Sequence, residues 1–345
     1  MMWWKSWKRS MGGGRRMSTL VQTWLLTGIA LAFTFMNGFN DSGSIVATVI
    51  SSRALTPRYA LFLSAVAHLA APFLFGIAVA DTIGHQVVAR EAVTVPVVLA
   101  AASAAVLWCL ITYRLGIPSS SSHALIGGLI GATAAGQGWR AILPSGLEKV
   151  FLALVLSPVL GMIGGYLLMW MAMYMAQRAT PKVNIFFNRA QILALIALAL
   201  SHGTNDAQKG MGLIVMGLMA VGSLREFSVP GWVVLACAFG ISLGTAFGAR
   251  RIIRTVGGKY YRVRPVHGFT SQCSSAIVIL SAALLGGPVS STEVISASIM
   301  GAGAAERISK VRWGVVREVV AAWVFTVPVT ALVAALACRL FLLVF

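Results

Sequence analysis

Charge is what this sequence has least of. Asp, Glu, Lys and Arg make up 10% of its 345 residues, against roughly 25% in an ordinary water-soluble domain. Acid is scarcer still: 9 acidic residues stand against 27 basic ones, and only Asp41, Asp81 and Asp206 are Asp. So few charges cannot cover the surface of a soluble globule of this size. The four cysteines (Cys109, Cys237, Cys273, Cys338) lie far apart in apolar stretches, with no metal-ligand spacing and no disulfide framework. The short alternating segments of a membrane β-barrel are missing too. A net charge of +18 would suggest nucleic acid in a soluble protein. That partner wants basic residues interleaved with exposed aromatics on one folded face, and Tyr260 and Tyr261 alone do not supply it.

What is present is apolar length. The chain is 58% hydrophobic, and several runs approach the ~20 residues that a bilayer-spanning helix needs. They fall near 19–36, 59–80, 92–111, 150–175, 191–221, 232–248, 267–286 and 318–345. The pattern predicts an all-α polytopic membrane protein, its partner the lipid bilayer and its place the cell membrane. The basic residues cluster in short loops, as the positive-inside bias requires. The run 250–264 holds six basic residues and no acid, so it is expected on the cytoplasmic side. Residues 1–17, with Trp3, Trp4 and Trp7, read as an uncleaved basic tail.

The chain also contains itself twice. The "GFND" of 38–41 returns as "GTND" at 203–206, which puts Asn40 and Asn205 165 residues apart. The "PSSSSHALIGGLIGA" of 118–132 returns as "PVSSTEVISASIMGA" at 288–302, an offset of 170. Two motifs recurring in the same order at nearly the same offset mark an internal repeat. The division expected is a basic tail (1–17), a first transmembrane repeat (18–177), a basic linker (178–189) and a second repeat (190–345). The loop after the first Asn-Asp pair carries Arg53 and Arg58 without acid, whereas the loop after the second, with Arg225 and Glu226, is neutral. Equivalent loops on opposite sides are the signature of inverted-topology repeats in secondary transporters.

Two of the three aspartates sit in the duplicated motifs. An Asp at the centre of a membrane helix costs about 2.5–3.5 kcal/mol on insertion scales. The bland reading is a helix cap at the bilayer edge; a cost repeated at equivalent positions favours function. Asn40, Asp41, Asn205 and Asp206 are therefore the expected cation ligands, for Na+ or a proton, on helices broken at the flanking glycines. Pro118 and Pro288 each precede a hydroxyl run and a short, Gly-rich apolar stretch. Those stretches are expected to be re-entrant hairpins, tolerated at membrane depth only where protein or a wet cavity covers them. A helix N-terminus lined by hydroxyls binds an anion without Lys or Arg. The alternative is close packing of small residues between helices.

These residues resemble the inorganic phosphate transporter (PiT) family of cation-coupled symporters. The similarity runs through "GFNDSGSIVATVISSRALTPR", "SHGTNDAQKGMGLI", "GARRIIRTVGGKYYRVRPVHGFTSQ" and the two hydroxyl-rich hairpins. The resemblance implies two inverted repeats and a secondary symporter importing inorganic phosphate with Na+ or H+, with no enzymatic chemistry and no further cofactor. It implies anion contacts from Ser120, Ser121, Ser122, Ser290, Ser291 and Thr292, with Gln208 facing the site, and is consistent with a homodimer. Two departures stand out. Gly43, Ser44 and Ile45 lie where the family carries an amide, and Glu293 lies where it carries His. Some members carry sulfate, so a sulfate permease is the alternative. An acceptor beside the anion favours phosphate, which can keep a donor hydrogen where sulfate cannot.

Overall fold

The computed structural model describes residues 2–117, 119–180, 182–248, 264–311 and 313–343. Pro118, the side chains of the basic tail, and the basic residues and tyrosines of 250–263 lie outside the described residues. The described chain is helical: α1 (Met2–Ser51), α2 (Pro57–Ala70), α3 (Ala78–Asp81), α4 (Val95–Leu115), α5 (Ser121–Gln137), α6 (Pro144–Met175), α7 (Val183–Ala220), α8 (Gly231–Phe247), α9 (Pro265–Leu284), α10 (Ser291–Glu306) and α11 (Trp313–Phe341). Five described helices are long and apolar enough to cross a membrane, or six if Pro57–Phe73 and Ala78–Gln86, bent by 72°, form one broken span.

Burial runs opposite to that of a soluble protein. Along α6, Leu152, Val155, Val159, Ile163, Leu167 and Trp170 are exposed, while Asn37, Asp41, His202, Asp206 and Lys209 are buried. An apolar exterior around polar interior groups suits lipid as solvent, where ionisable residues face the bundle interior.

Three expectations shift. The apolar run of 59–80 is not one straight helix: Pro72 sits in a 3-10 turn (Ala71–Phe73), and Gly76 takes φ +79, a left-handed conformation that a side chain would strain. The 232–248 run gives α8, only 17 residues long. The linker expected over 178–189 is half absorbed, because α7 begins at Val183.

The helices pair crosswise. α4 and α5 form a hairpin, as do α9 and α10. α5 packs on α11, and α10 packs on α6. α1 packs on α8, and α2 on α7. Each second hairpin arm thus leans on the closing helix of the other half of the chain. Glycine makes these crossings close. A Cβ at Gly127 or Gly131 of α5 would strike Val327 or Ala331 of α11. One at Gly161 or Gly165 of α6 would meet Val294 or Ser298 of α10. Without a hydrophobic drive between helices in lipid, such small-residue spacing lets backbones approach and gain dispersion contact.

Candidate functional site

The centre of the molecule is where α1 and α7 meet the two hairpin tips. On α1, Asn37, Asp41 and Ser44 follow at i, i+4 and i+7; on α7, His202, Asp206 and Lys209 do the same, so each trio shares one helix face. Both helices run unbroken through the Asn-Asp pairs, which corrects the expectation of breaks there. The glycines serve close approach instead: a Cβ at Gly38 would run into the Ile241 carbonyl of α8, and one at Gly203 into Ala71 and His68. The aspartates need no broken backbone because neighbouring elements bring donors to them. The interruption lies at Gly76, between α2 and α3.

Those donors come from the hairpin tips. Ser120 caps α5, its hydroxyl accepting the His123 N–H at 3.0 Å. Ser290 holds the same position on α10, and its buried hydroxyl has no hydrogen-bond partner among the described residues. Thr292 donates to Asp41 Oδ1 at 2.6 Å, and Ser291 donates to Asp206 Oδ1 at 3.0 Å. Ser121 lies 3.5 Å from Asp41 Oδ2. Ser122 donates to the Val289 carbonyl at 2.6 Å and so joins one tip to the other. All six expected anion-contact residues are buried and gathered at the two tips.

The two carboxylates are cross-linked by equivalent residues of the two halves. His202 Nε2 lies 3.0 Å from Asp206 Oδ2 and 3.5 Å from Asp41 Oδ2. Asn37, 165 residues earlier in the chain, faces both carboxylates. Its amide NH2 must point at them, since its oxygen would oppose two acceptors; so oriented, it donates to Asp41 Oδ2 at 2.8 Å and to Asp206 Oδ2 at 3.1 Å. Ligand atoms of Asp41, His202 and Asp206 lie within 4.8 Å of one another, close enough to share a metal ion. Behind them His202 Nδ1 meets His68 Nε2 at 3.0 Å, and His68 Nδ1 meets the Thr245 hydroxyl at 2.7 Å.

The asparagines differ in their work. Asn205 braces the second tip with both amide atoms: Nδ2 donates to the Gly287 carbonyl at 3.0 Å, and Oδ1 accepts the Val289 N–H at 3.3 Å. Asn40 donates to the Cys109 carbonyl at 2.9 Å, and its buried Oδ1 has no hydrogen-bond partner among the described residues. Gln208 does not face the hairpins. Its Oε1 accepts the N–H groups of Val79 (2.7 Å) and Ala80 (3.2 Å), and its Nε2 donates to the Gly76 carbonyl at 2.8 Å. It satisfies the orphan amides where the broken span restarts. Glu293 is paired rather than set against an anion: its Oε1 lies 2.9 Å from His123 Nδ1. These two residues occupy equivalent positions of the repeated hairpin motif.

Sequence reasoning assigned no role to His202, Lys209, Asn37 or His68. Lys209 Nζ donates to Asp206 Oδ1 at 2.5 Å and to the Val289 carbonyl at 2.9 Å, and neither partner of this ion pair has any solvent exposure. The helical spacing from Asp206 was the available signal for His202 and Lys209. His68 had none, being brought in by packing alone.

Comparison with known proteins gives one consistent answer. A family profile described as "Phosphate transporter family" matches residues 37–181 and 173–334. The chain is 43% identical over 313 residues to a "Probable low-affinity inorganic phosphate transporter" of Rhizobium meliloti, covering 90% of this chain and 94% of that one. It is 41% identical over 323 residues to a protein of the same description from Bacillus subtilis, covering 92% and 96%. Among solved structures, "The sodium-dependent phosphate transporter" superposes with a TM-score of 0.85 at 23% identity, over 94% of this chain and 100% of the other, a likeness of fold.

Proposed function

The chain belongs to the phosphate transporter family, and from that premise we propose that it is a secondary symporter importing inorganic phosphate, driven by a Na+ or proton gradient through alternating access. The family and its curated members are transporters rather than enzymes, and the apolar helices make this a multi-pass protein of the cell membrane.

One observation carries the reading: two hydroxyl-lined helix N-termini meet at two buried carboxylates. The N-termini offer free amides and positive dipole ends to an oxyanion. A hydroxyl has a single donor hydrogen. Thr292 and Ser291 spend theirs on Asp41 and Asp206. If they turn to a phosphate oxygen, each carboxylate loses a donor beside a new negative charge, and a cation must replace it. Anion binding therefore demands cation binding, which is the linkage a symporter needs. Because each hairpin arm packs on the other half's closing helix, the units that rock in alternating access combine elements of both halves. The buried acceptors Asp41 and Asp206 favour an anion that keeps a donor hydrogen, hence phosphate over sulfate.

Purified protein in proteoliposomes tests this with labelled phosphate, run with a Na+ gradient, a proton gradient or neither, and with excess unlabelled sulfate. Uptake above equilibrium, driven by one gradient and indifferent to sulfate, is expected. Equal flux with and without a gradient would contradict symport, and sulfate uptake indifferent to phosphate would contradict the substrate.

A further inference from the structure

The repeat makes the two carboxylates comparable residue by residue. At the offset of 165 that aligns Asn40 with Asn205, Lys209 corresponds to Ser44. The second half thus carries an ammonium where the first carries a hydroxyl. Lys209 Nζ lies on Asp206 Oδ1 and on the Val289 carbonyl of the hairpin tip, with no solvent exposure. A charge so placed is held only by pairing, because its desolvation penalty otherwise amounts to several kcal/mol. Asp206 is neutralised from within the chain.

Asp41 is not. Its ion-pair partner among the described residues is His202, at 3.5 Å, and His202 lies closer to Asp206. Its other contacts, Thr292, Ser121 and Asn37, are neutral. On the same helix, Asn40 Oδ1 and Ser44 Oγ are buried oxygens without a hydrogen-bond partner among the described residues. Unpartnered buried oxygens on the same helix as a carboxylate that faces no Lys or Arg are the ligand chemistry of a hard cation. The corresponding oxygen of the second half, Asn205 Oδ1, is occupied by the Val289 N–H.

We infer that Lys209 is a tethered cation filling the second half's coupling position permanently, so that the mobile coupling cation binds in the first half alone, at Asp41 with Asn40 Oδ1 and Ser44 Oγ. The inference rests on the symporter reading and sets its stoichiometry: one mobile cation at the paired aspartates. Lys209 moves with α7 and contributes compensation of Asp206 without transported charge. In the shared cluster of Asp41, His202 and Asp206, Asp41 is then the carboxylate that faces no Lys or Arg.

The test compares wild type with Lys209→Ser, which gives the second half the first half's residue. In proteoliposomes, the phosphate gradient that just halts flux against a fixed cation gradient reads the coupling ratio. The ratio is expected to rise by one cation per phosphate in Lys209→Ser. In detergent, replacing choline chloride by sodium chloride should raise the melting temperature of Lys209→Ser more than that of wild type, since a cation that binds only the folded state stabilises it. An unchanged ratio would overturn the inference; with a raised KM for phosphate, it would make Lys209 an anion ligand. Should Lys209→Ser not fold, Asp206→Asn/Lys209→Ser removes the pair together. At whatever reduced rate, it should keep the wild-type ratio, and a lower ratio would place a mobile cation on Asp206. Equilibrium dialysis of wild type with labelled sodium should give one bound ion per chain, removed by Asp41→Asn; none or two would overturn the inference. Wild type that takes up no phosphate under any gradient defeats the symporter reading, whereas phosphate symport with the wrong ratio or ion count defeats this inference alone.

Discussion

The Asn37–Ser44 face of α1 and the His202–Lys209 face of α7 are built on one plan and charged differently. Each puts an aspartate at the crossing of two helices, hands it a hydroxyl from a hairpin tip, and reaches across to the other carboxylate with one side chain, Asn37 or His202. The first face is neutral apart from Asp41. The second carries Lys209 against Asp206 and a histidine between the two carboxylates. The shared aspartates keep one geometry, and the two faces differ at two positions, Asn37 against His202 and Ser44 against Lys209. Asn205, Lys209 and Ser122 all fasten onto the second tip, at Gly287 and Val289. Among the described residues, the first tip meets α1 through Ser121, at Asn37 and Asp41.

The largest effect expected from this difference is on stability. Asp206→Asn leaves the Lys209 ammonium buried without its partner, a loss of about 3–5 kcal/mol. Asp41→Asn strands no cation and should cost much less. Thermal unfolding in detergent, followed by tryptophan fluorescence, compares them; an equal loss in both would erase the distinction. Adding Lys209→Met to Asp206→Asn should recover most of the stability.

Next in size is Gln208→Ala, which uncovers the N–H groups of Val79 and Ala80 at the restart of the broken span. Leaving a buried donor unsatisfied costs about 1–3 kcal/mol. Hydrogen exchange should rise at 76–86 and stay unchanged at the hairpin tips; exchange rising first at the tips would return Gln208 to the anion site.

The His123–Glu293 contact joins equivalent positions of the two hairpins, so it invites an exchange. His123→Ala or Glu293→Ala should destabilise the tips, while His123→Glu with Glu293→His should restore melting temperature and uptake together. Contacting residues of this kind couple by about 0.5–3 kcal/mol in double-mutant cycles. An additive double variant would show that the pair carries no interaction. The smallest effect is Ser122→Ala, which removes the 2.6 Å bond between the tips for about 1 kcal/mol. A neutral result there would mean the second tip is held well enough by Asn205, Lys209, Ser291 and Thr292 without Ser122.

Much of this was legible in the sequence. The duplicated motifs, the two hairpin arms that start on hydroxyl runs and the pairing of aspartates with those runs are all where the repeats placed them. Polarity confined to four short motifs in an apolar chain has few places to gather other than one centre. What escaped reading was long-range. Gly38 and Gly203 look like breaks in a sequence and are crossing points in the fold, because only the partner helix reveals what a Cβ would strike. Gly76, which does end a helix, lies in an ordinary apolar run. Gln208 sits beside the aspartate motif yet, two residues and about 200° past Asp206, points to the other side of α7, to a segment far back in the chain. Lys209 was hidden inside the apolar run of 191–221, because a buried lysine gains a role only when its carboxylate partner is seen.

The most direct test of the central claim, that carboxylates at the hairpin tips bind the cation that drives anion import, is labelled-phosphate transport by Asp41→Asn in proteoliposomes. It is measured both as gradient-driven accumulation and as one-for-one exchange against internal phosphate. Lost accumulation with retained exchange is the result predicted, because a neutral amide imitates a compensated carboxylate and leaves the anion's donors in place. Accumulation at the wild-type level under the same cation gradient would contradict it.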